Sequence, residues 1–265
     1  YRAVREKTEF LELCKTPELA AEVTLQPIDK LNVDAAILFS DILVIPEAMG
    51  LDLKFGKGMG PQLSPVIRSR SGIEALREID PESSLPFVME TIRILRRELE
   101  GRVPLIGFSG APFTLATYMV EGGSSKDFLN LKTMMYKDPE TAHALFAKLS
   151  DAVTVYLNAQ IAAGAQAVQI FDTWAGICSP LDFDTFAFPY VKSVVDRLDR
   201  SGIPVIYYCN GGSTLLSRMR KLNTDVIGVD WRIEIDVAWK EIGYDRAIQG
   251  NLDPCVLFMD RKGIE

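Results

Sequence analysis

The chain has 265 residues, 48% hydrophobic and 25% charged, and 29 Lys and Arg against 36 Asp and Glu leave a formal net charge of −7. This is the composition of a folded globular chain rather than a disordered, collagenous or low-complexity one, and at such a length roughly 75% of the unfolded surface is hidden on folding, so a core forms without staples. The acid excess, with no basic cluster beyond Arg93, Arg96 and Arg97, argues against nucleic acid, and the most apolar stretch, 34–46, is broken by Asp41 and far short of the ~20 residues that cross a bilayer.

The chain opens on Tyr1-Arg2-Ala3, with no initiator Met, signal-peptide core or transit-peptide bias, and is expected to be a fragment whose beginning is missing. Thr16-Pro17-Glu18 sets an N-cap before Pro in a first helical turn. A short apolar run at 35–40 reads as a buried parallel strand ending at Asp41. Gly56, Gly58 and Gly60 alternate, but Pro61 follows and no helix opens there, so phosphate-loop and dinucleotide readings fail and a loop or hairpin is expected. Helical spacing over 85–99 leads to a second strand at 103–109. Asp138-Pro139-Glu140 opens a long helix running to Gly164, with Leu145, Phe146, Leu149, Val153, Tyr156, Leu157 and Ile161 on one face. Strands at 167–172, 205–210, 226–230 and 247–251 then alternate with helical patterns at 183–198, 214–222 and 235–242.

Strand followed by helix, repeated, implies a parallel sheet. Closure into a (β/α)8 TIM barrel is favoured over an open doubly wound sheet because nearly every strand ends in a polar residue: Asp41, Ser109, Asp172, Asn210, Asp230, then Asn251 and Asp253. Barrel active sites are built from such C-terminal strand ends. Six units in this length extrapolate to roughly 350 residues for eight, so residues 1–265 read as a single barrel domain lacking its first and last strand segments.

Asp41 is an acid inside an apolar run, and a carboxylate buried there is paired, protonated or waiting for a ligand that donates hydrogen bonds; otherwise it caps a loop or pairs an Arg. Asp172 and Thr173 end another strand, where they orient a ligand or merely cap the next loop. Tyr118 lies just beyond Ser109-Gly110-Ala111-Pro112-Phe113, over a pocket or in the core. His143, the only histidine, sits in the long helix and reads as structural, leaving a Ser-His-Asp triad or a His-rich zinc site without support. Cys209 ends a strand without a neighbouring co-ligand and reads as a small buried residue. Asn210-Gly211-Gly212-Ser213-Thr214 is an anion-binding turn or an ordinary N-cap. The four cysteines are far apart with no CxxC, which suits a reducing cytoplasm.

Taken together, Tyr1-Arg2-Ala3-Val4-Arg5, Thr24-Leu25-Gln26-Pro27, Ala35-Ala36-Ile37-Leu38-Phe39-Ser40-Asp41-Ile42-Leu43, Gly107-Phe108-Ser109-Gly110-Ala111-Pro112-Phe113-Thr114, Thr117-Tyr118-Met119-Val120-Glu121-Gly122 and Gln249-Gly250-Asn251-Leu252-Asp253-Pro254 resemble the uroporphyrinogen decarboxylase family over the whole chain. The resemblance implies a single-domain (β/α)8 barrel that converts the four acetate side chains of uroporphyrinogen III to methyls, releasing CO2 and giving coproporphyrinogen III, without metal or organic cofactor. It further implies that the protonated pyrrole serves as the electron sink. Asp41 matches the aspartate that accepts the pyrrole N–H groups and stabilises the developing cation. Arg5 matches an arginine that contacts substrate carboxylates, Tyr118 and Thr173 match hydroxyl contacts, and Phe39, Ser40 and Phe171 would shape the pocket. Thr173 stands where other members carry Ser. The family's Met-Arg-Gln-Ala-Gly-Arg segment is expected before Tyr1 and its substrate-binding His, in Asn-Leu-Gly-His-Gly, after Glu265, so the fragment alone is expected to be inactive. A homodimer with facing clefts is also implied, in the cytoplasm, or in a plastid if a transit peptide has been removed. Two rivals are weighed against this: a zinc-dependent methyltransferase of the same barrel superfamily, for which Tyr207 sits where a His-x-Cys pattern needs its ligand, and a noncatalytic tetrapyrrole-binding protein, against which the retention of Arg5, Asp41 and Tyr118 argues.

Overall fold

The computed structural model describes residues 1–56 and 60–264. Pro17 opens the helix Pro17–Leu31 at its first turn, where a missing N–H costs nothing, and Asn32, left-handed at φ 52°, ends it. Strand β1 follows at Ala36–Ile37. On either side of the glycine-containing stretch, β2 (Asp52–Phe55) pairs antiparallel with β3 (Pro61–Ser64), Leu53 opposite Leu63; Gly58, at the centre of the expected loop or hairpin, lies outside the described residues. Helix Pro86–Glu98 leads into β4 (Leu105–Gly110), and helix Pro112–Glu121 follows it. Helix Pro139–Ala163 is capped at its start by the Asp138 carboxylate, which accepts the Thr141 N–H at 3.2 Å, and at its end by Gly164 with φ 117°. Then come β5 (Ala167–Asp172), a π-helical turn Phe183–Ala187 running into helix Phe188–Asp196, β6 (Val205–Cys209), β7 (Val226–Gly228), helix Ile235–Ile242 and β8 (Ala247–Gln249).

The six strands expected from the sequence form one parallel sheet in the order β1-β4-β5-β6-β7-β8, so each pairs with the next parallel strand along the chain. Right-handed crossovers in that order put every intervening helix on the same face, which is the arrangement of successive staves in a (β/α)8 barrel. The register separates the two faces. Leu105, Val168, Ile170, Val205, Tyr207 and Ile227 point at the helices and are completely buried. Phe108, Phe171 and Tyr208 point to the other, inner face and stack edge to face across neighbouring strands, with centroids 5.7 and 6.0 Å apart.

The first strand is shorter than the sequence suggested, ending at Ile37 rather than Ser40. Its last ladder bond is donated by Leu38 N–H to the Ile106 carbonyl. Beyond it, the Phe108 N–H and C=O that would pair with a longer strand are taken by the side-chain amide of Gln160, at 2.9 and 2.8 Å, reaching in from helix Pro139–Ala163. Gly107 leaves room for that reach, since a Cβ there would stand 2.3 Å from Gln160 Oε1. The Phe39 N–H turns instead to Thr24 Oγ1 at 2.9 Å. Residues 39–41 are thereby released from the sheet at its C-terminal end.

Candidate active site

The released segment carries Asp41. Its Oδ1 accepts the Leu43 N–H at 2.8 Å, a local turn that fixes the carboxylate before the short helix Val44–Ala48 begins. Burial pushes the Asp41 pKa above its ordinary value, the Leu43 N–H pulls it partly back, and Glu47 adds to the rise. A desolvated carboxylate with spare lone pairs is an acceptor waiting for donors.

Around it stand groups that feel its charge. The Tyr118 phenol is pushed up chiefly by burial, is partly relieved by the Trp174 indole, and is raised further by Asp41. The Cys14 thiol is pushed up to about 12, again chiefly by burial and then by Asp41, with Arg5 acting in the opposite sense. Arg5 therefore stands in the same neighbourhood, its guanidinium over the Phe10 ring at 5.8 Å and donating to the Thr8 carbonyl. Phe39 packs against Tyr1 and Phe10, with centroids 5.8 and 6.1 Å away. Ser40 is placed differently: its Oγ is buried beside the Tyr156 phenol of the helix layer, with no partner in hydrogen-bonding geometry. Phe171 lines the inner face, and Thr173 lies half-buried in the turn that follows β5.

Asp172 does not face the mouth. It lies on the helix side of β5, fully buried, and accepts from Thr114 Oγ1 and Tyr207 Oη at 2.8 Å each. Burial raises its pKa to about 6 against those two bonds. Thr114 Oγ1 also accepts the Trp174 N–H at 3.1 Å, and the Trp174 ring meets Tyr118 edge on at 6.4 Å. Asp172 thus holds the loop that backs Tyr118. The turn at Asn210-Gly211-Gly212 is likewise not an open anion site, because the Gly211 N–H already donates to the Asp230 carboxylate. His143 is structural, stacked on Phe186 at 5.0 Å with Nδ1 2.6 Å from Tyr190 Oη. Cys209 is buried with its thiol pushed well up by burial, and among the described residues no three His, Cys, Asp or Glu side chains gather to hold a metal ion.

Sequence reasoning passed over Tyr208, Tyr156 and the Asp230–Arg232 pair. Strand alternation held the signal for Tyr208: Phe171 and Tyr208 are register partners and so share a face. In the sequence Tyr156 shows only as one of the apolar face of its helix, and nothing local marks it as the neighbour of Ser40.

The family described as uroporphyrinogen decarboxylase (URO-D) matches residues 1–265. The uroporphyrinogen decarboxylase of Carboxydothermus hydrogenoformans is 50% identical over 264 residues, covering 100% of this chain and 75% of the relative. That of Geobacter sulfurreducens is 54% identical over 265 residues, covering 100% and 77%. Among solved structures, a methyltransferase from Methanosarcina mazei superposes with TM-score 0.73 at 21% identity over 91% of this chain and 71% of its own. A B12-independent methionine synthase from a Shewanella species gives TM-score 0.58 at 10% identity over 88% and 69%. At these identities the two structures speak for the fold alone.

Proposed function

The chain belongs to the uroporphyrinogen decarboxylase family, so its activity is that of a carboxy-lyase of porphyrin biosynthesis, and we propose that Asp41 is the residue around which that chemistry is organised. The observation that carries the assignment of Asp41 is its state: a desolvated carboxylate, fixed by one backbone N–H, at the C-terminal end of a parallel sheet where barrel enzymes place their reacting groups. Loss of CO2 from an acetate leaves an electron pair that must be delocalised. A pyrrole protonated beside the acetate carries a positive charge and accepts that pair as the C–C bond breaks, so the ring is cationic before CO2 leaves and neutral afterwards. A carboxylate held ready to accept the pyrrole N–H groups stabilises that charge, and poor hydration strengthens the effect. The exocyclic carbon then takes a proton to become the methyl, and the ring gives up the proton it first received, restoring the neutral pyrrole.

The remaining residues serve this centre. Tyr118 and Thr173 offer hydroxyls to the substrate, Arg5 offers a guanidinium to its carboxylates, and Phe39 and Phe171 supply apolar walls for the macrocycle. Ser40 buttresses Asp41 from the helix side through its place beside Tyr156. Residues 1–265 act as one domain, supported by the six-stranded parallel sheet and the continuous core built around it. No described helix is long and apolar enough to cross a membrane, and the four free cysteines suit a reducing cytoplasm as the site of action.

The test of the assignment is Asp41→Asn, which keeps shape and one acceptor oxygen but removes the charge. It is assayed anaerobically with uroporphyrinogen III, in a protein of the relatives' length that contains this chain, and the oxidised products are separated by carboxylate number. The unsubstituted protein should run stepwise from octacarboxylate to tetracarboxylate, and the variant should turn over about 10²–10³ times more slowly with an unchanged unfolding temperature. Turnover by the variant at the parent rate would remove Asp41 from its role. The partner we propose is a second copy, and sedimentation at twice the chain mass is the expected result; a monomer at micromolar concentration would refute it.

A further inference from the structure

The inner face of the sheet leads from Phe171 to Tyr208 and on to the segment that follows β7. Gly228 is the register partner of Tyr208, and the Tyr208 ring occupies the space a side chain would need, since a Cβ on Gly228 would stand 3.0 Å from it. Two residues further, at the same parity, comes Asp230. It is 5% exposed, and its carboxylate accepts the Arg232 N–H at 3.0 Å as well as the Gly211 N–H. The Arg232 guanidinium completes the arrangement. Its Nη1 donates to Asp230 and, at 3.1 Å, to Asn210 Oδ1, and its plane lies over the Trp231 ring at 4.4 Å.

This is more than a counter-ion for a buried acid. Asp230 already holds two backbone N–H groups, and the Arg232 side chain remains 48% exposed. Nη1 carries both side-chain bonds, so among the described residues the Nε and Nη2 edge of this aromatic-backed fork has no hydrogen-bond partner. The Tyr208 phenol, pushed up mainly by burial, also feels Asp230 and, in the opposite sense, Arg232, so the guanidinium stands close to the aromatic wall. A planar fork of this kind suits a carboxylate taken by two parallel N–H bonds.

We infer that Arg232 binds a side-chain carboxylate of the tetrapyrrole substrate lying against the Phe171–Tyr208 wall, with Asp230 and Trp231 as its positioning residues. The inference rests on the decarboxylase reading above. It is tested by steady-state kinetics of Arg232→Gln and Arg232→Lys with uroporphyrinogen III in the protein of full length. Arg232→Gln should raise KM about 10-fold while kcat stays within about twofold, as loss of a charge-assisted bond made equally in ground and transition states requires. Arg232→Lys, which keeps the charge beside Asp230 and therefore the fold, should raise KM by a smaller factor because the fork is lost. A KM equal to the parent's in folded Arg232→Gln overturns the inference, and if that variant does not fold, a parental KM in Arg232→Lys does so instead. No turnover by the unsubstituted protein would sink the decarboxylase reading itself, whereas normal turnover with an indifferent Arg232 would sink only this proposal.

Discussion

Asp172 shows what burial does to a single carboxyl. Two hydroxyl donors at 2.8 Å do not replace the water it has lost, and its pKa rises from 3.8 to about 6. In the unfolded chain the group loses its proton near the ordinary value, while in the folded chain it holds it to about 6. Between those two values the folded state binds the extra proton, so this residue's contribution to stability falls as pH rises and levels off above about 6. The shift corresponds to about 3 kcal/mol. Asp172→Asn cannot titrate. Urea unfolding of the parent and the variant should therefore show the parent losing about 3 kcal/mol relative to the variant between pH 4 and pH 7. A difference that does not move with pH would mean that Asp172 is not held as the structure shows. The sequence placed Asp172 correctly at a strand end but could not say on which side of the strand it lies. Its neighbour Phe171 takes the inner face, and alternation then consigns Asp172 to the helices.

At the scale of elements, the decisive feature is the place where β1 stops. An apolar run from 35 to 40 reads as strand throughout, because hydrophobic pattern reports burial and not pairing. What ends the pairing is Gln160, more than a hundred residues away, whose amide occupies the edge of β4 that a longer strand would use. No local signal in 35–41 carries that information, whereas helix starts at Pro17 and Pro139 and the helix end at Gly164 were legible because their causes are local. Gln160→Leu fills the same space but leaves a buried N–H and a buried C=O of Phe108 unpaired, which should cost about 3 kcal/mol. The cost would appear as a lower urea midpoint with an unchanged slope. Should β1 instead lengthen and pair those two groups, part of that cost is recovered and decarboxylation slows, because residues 39–41 are drawn back into the sheet. A variant as stable and as active as the parent would show that the amide does not set the strand's end.

Across the whole molecule, the composition, the alternation of strand and helix and the polar strand ends carried the architecture, and the six parallel strands fall where apolar runs placed them. The chemistry at the rim was legible in part. Asp41 announced itself as a charge among apolar residues, but Arg232 did not, because its significance comes from Asn210 and Asp230, which meet it from the loops after two different strands. The order of the sheet has one more consequence, and it concerns how the chain is made. Each parallel strand docks against the one synthesised before it, so every strand leaving the ribosome meets an edge that already exists and need not wait for a distant partner. Nascent chains stalled after β5, β6 and β7 should then resist protease in growing blocks, and uniform digestion of all three would show that the sheet assembles only after release.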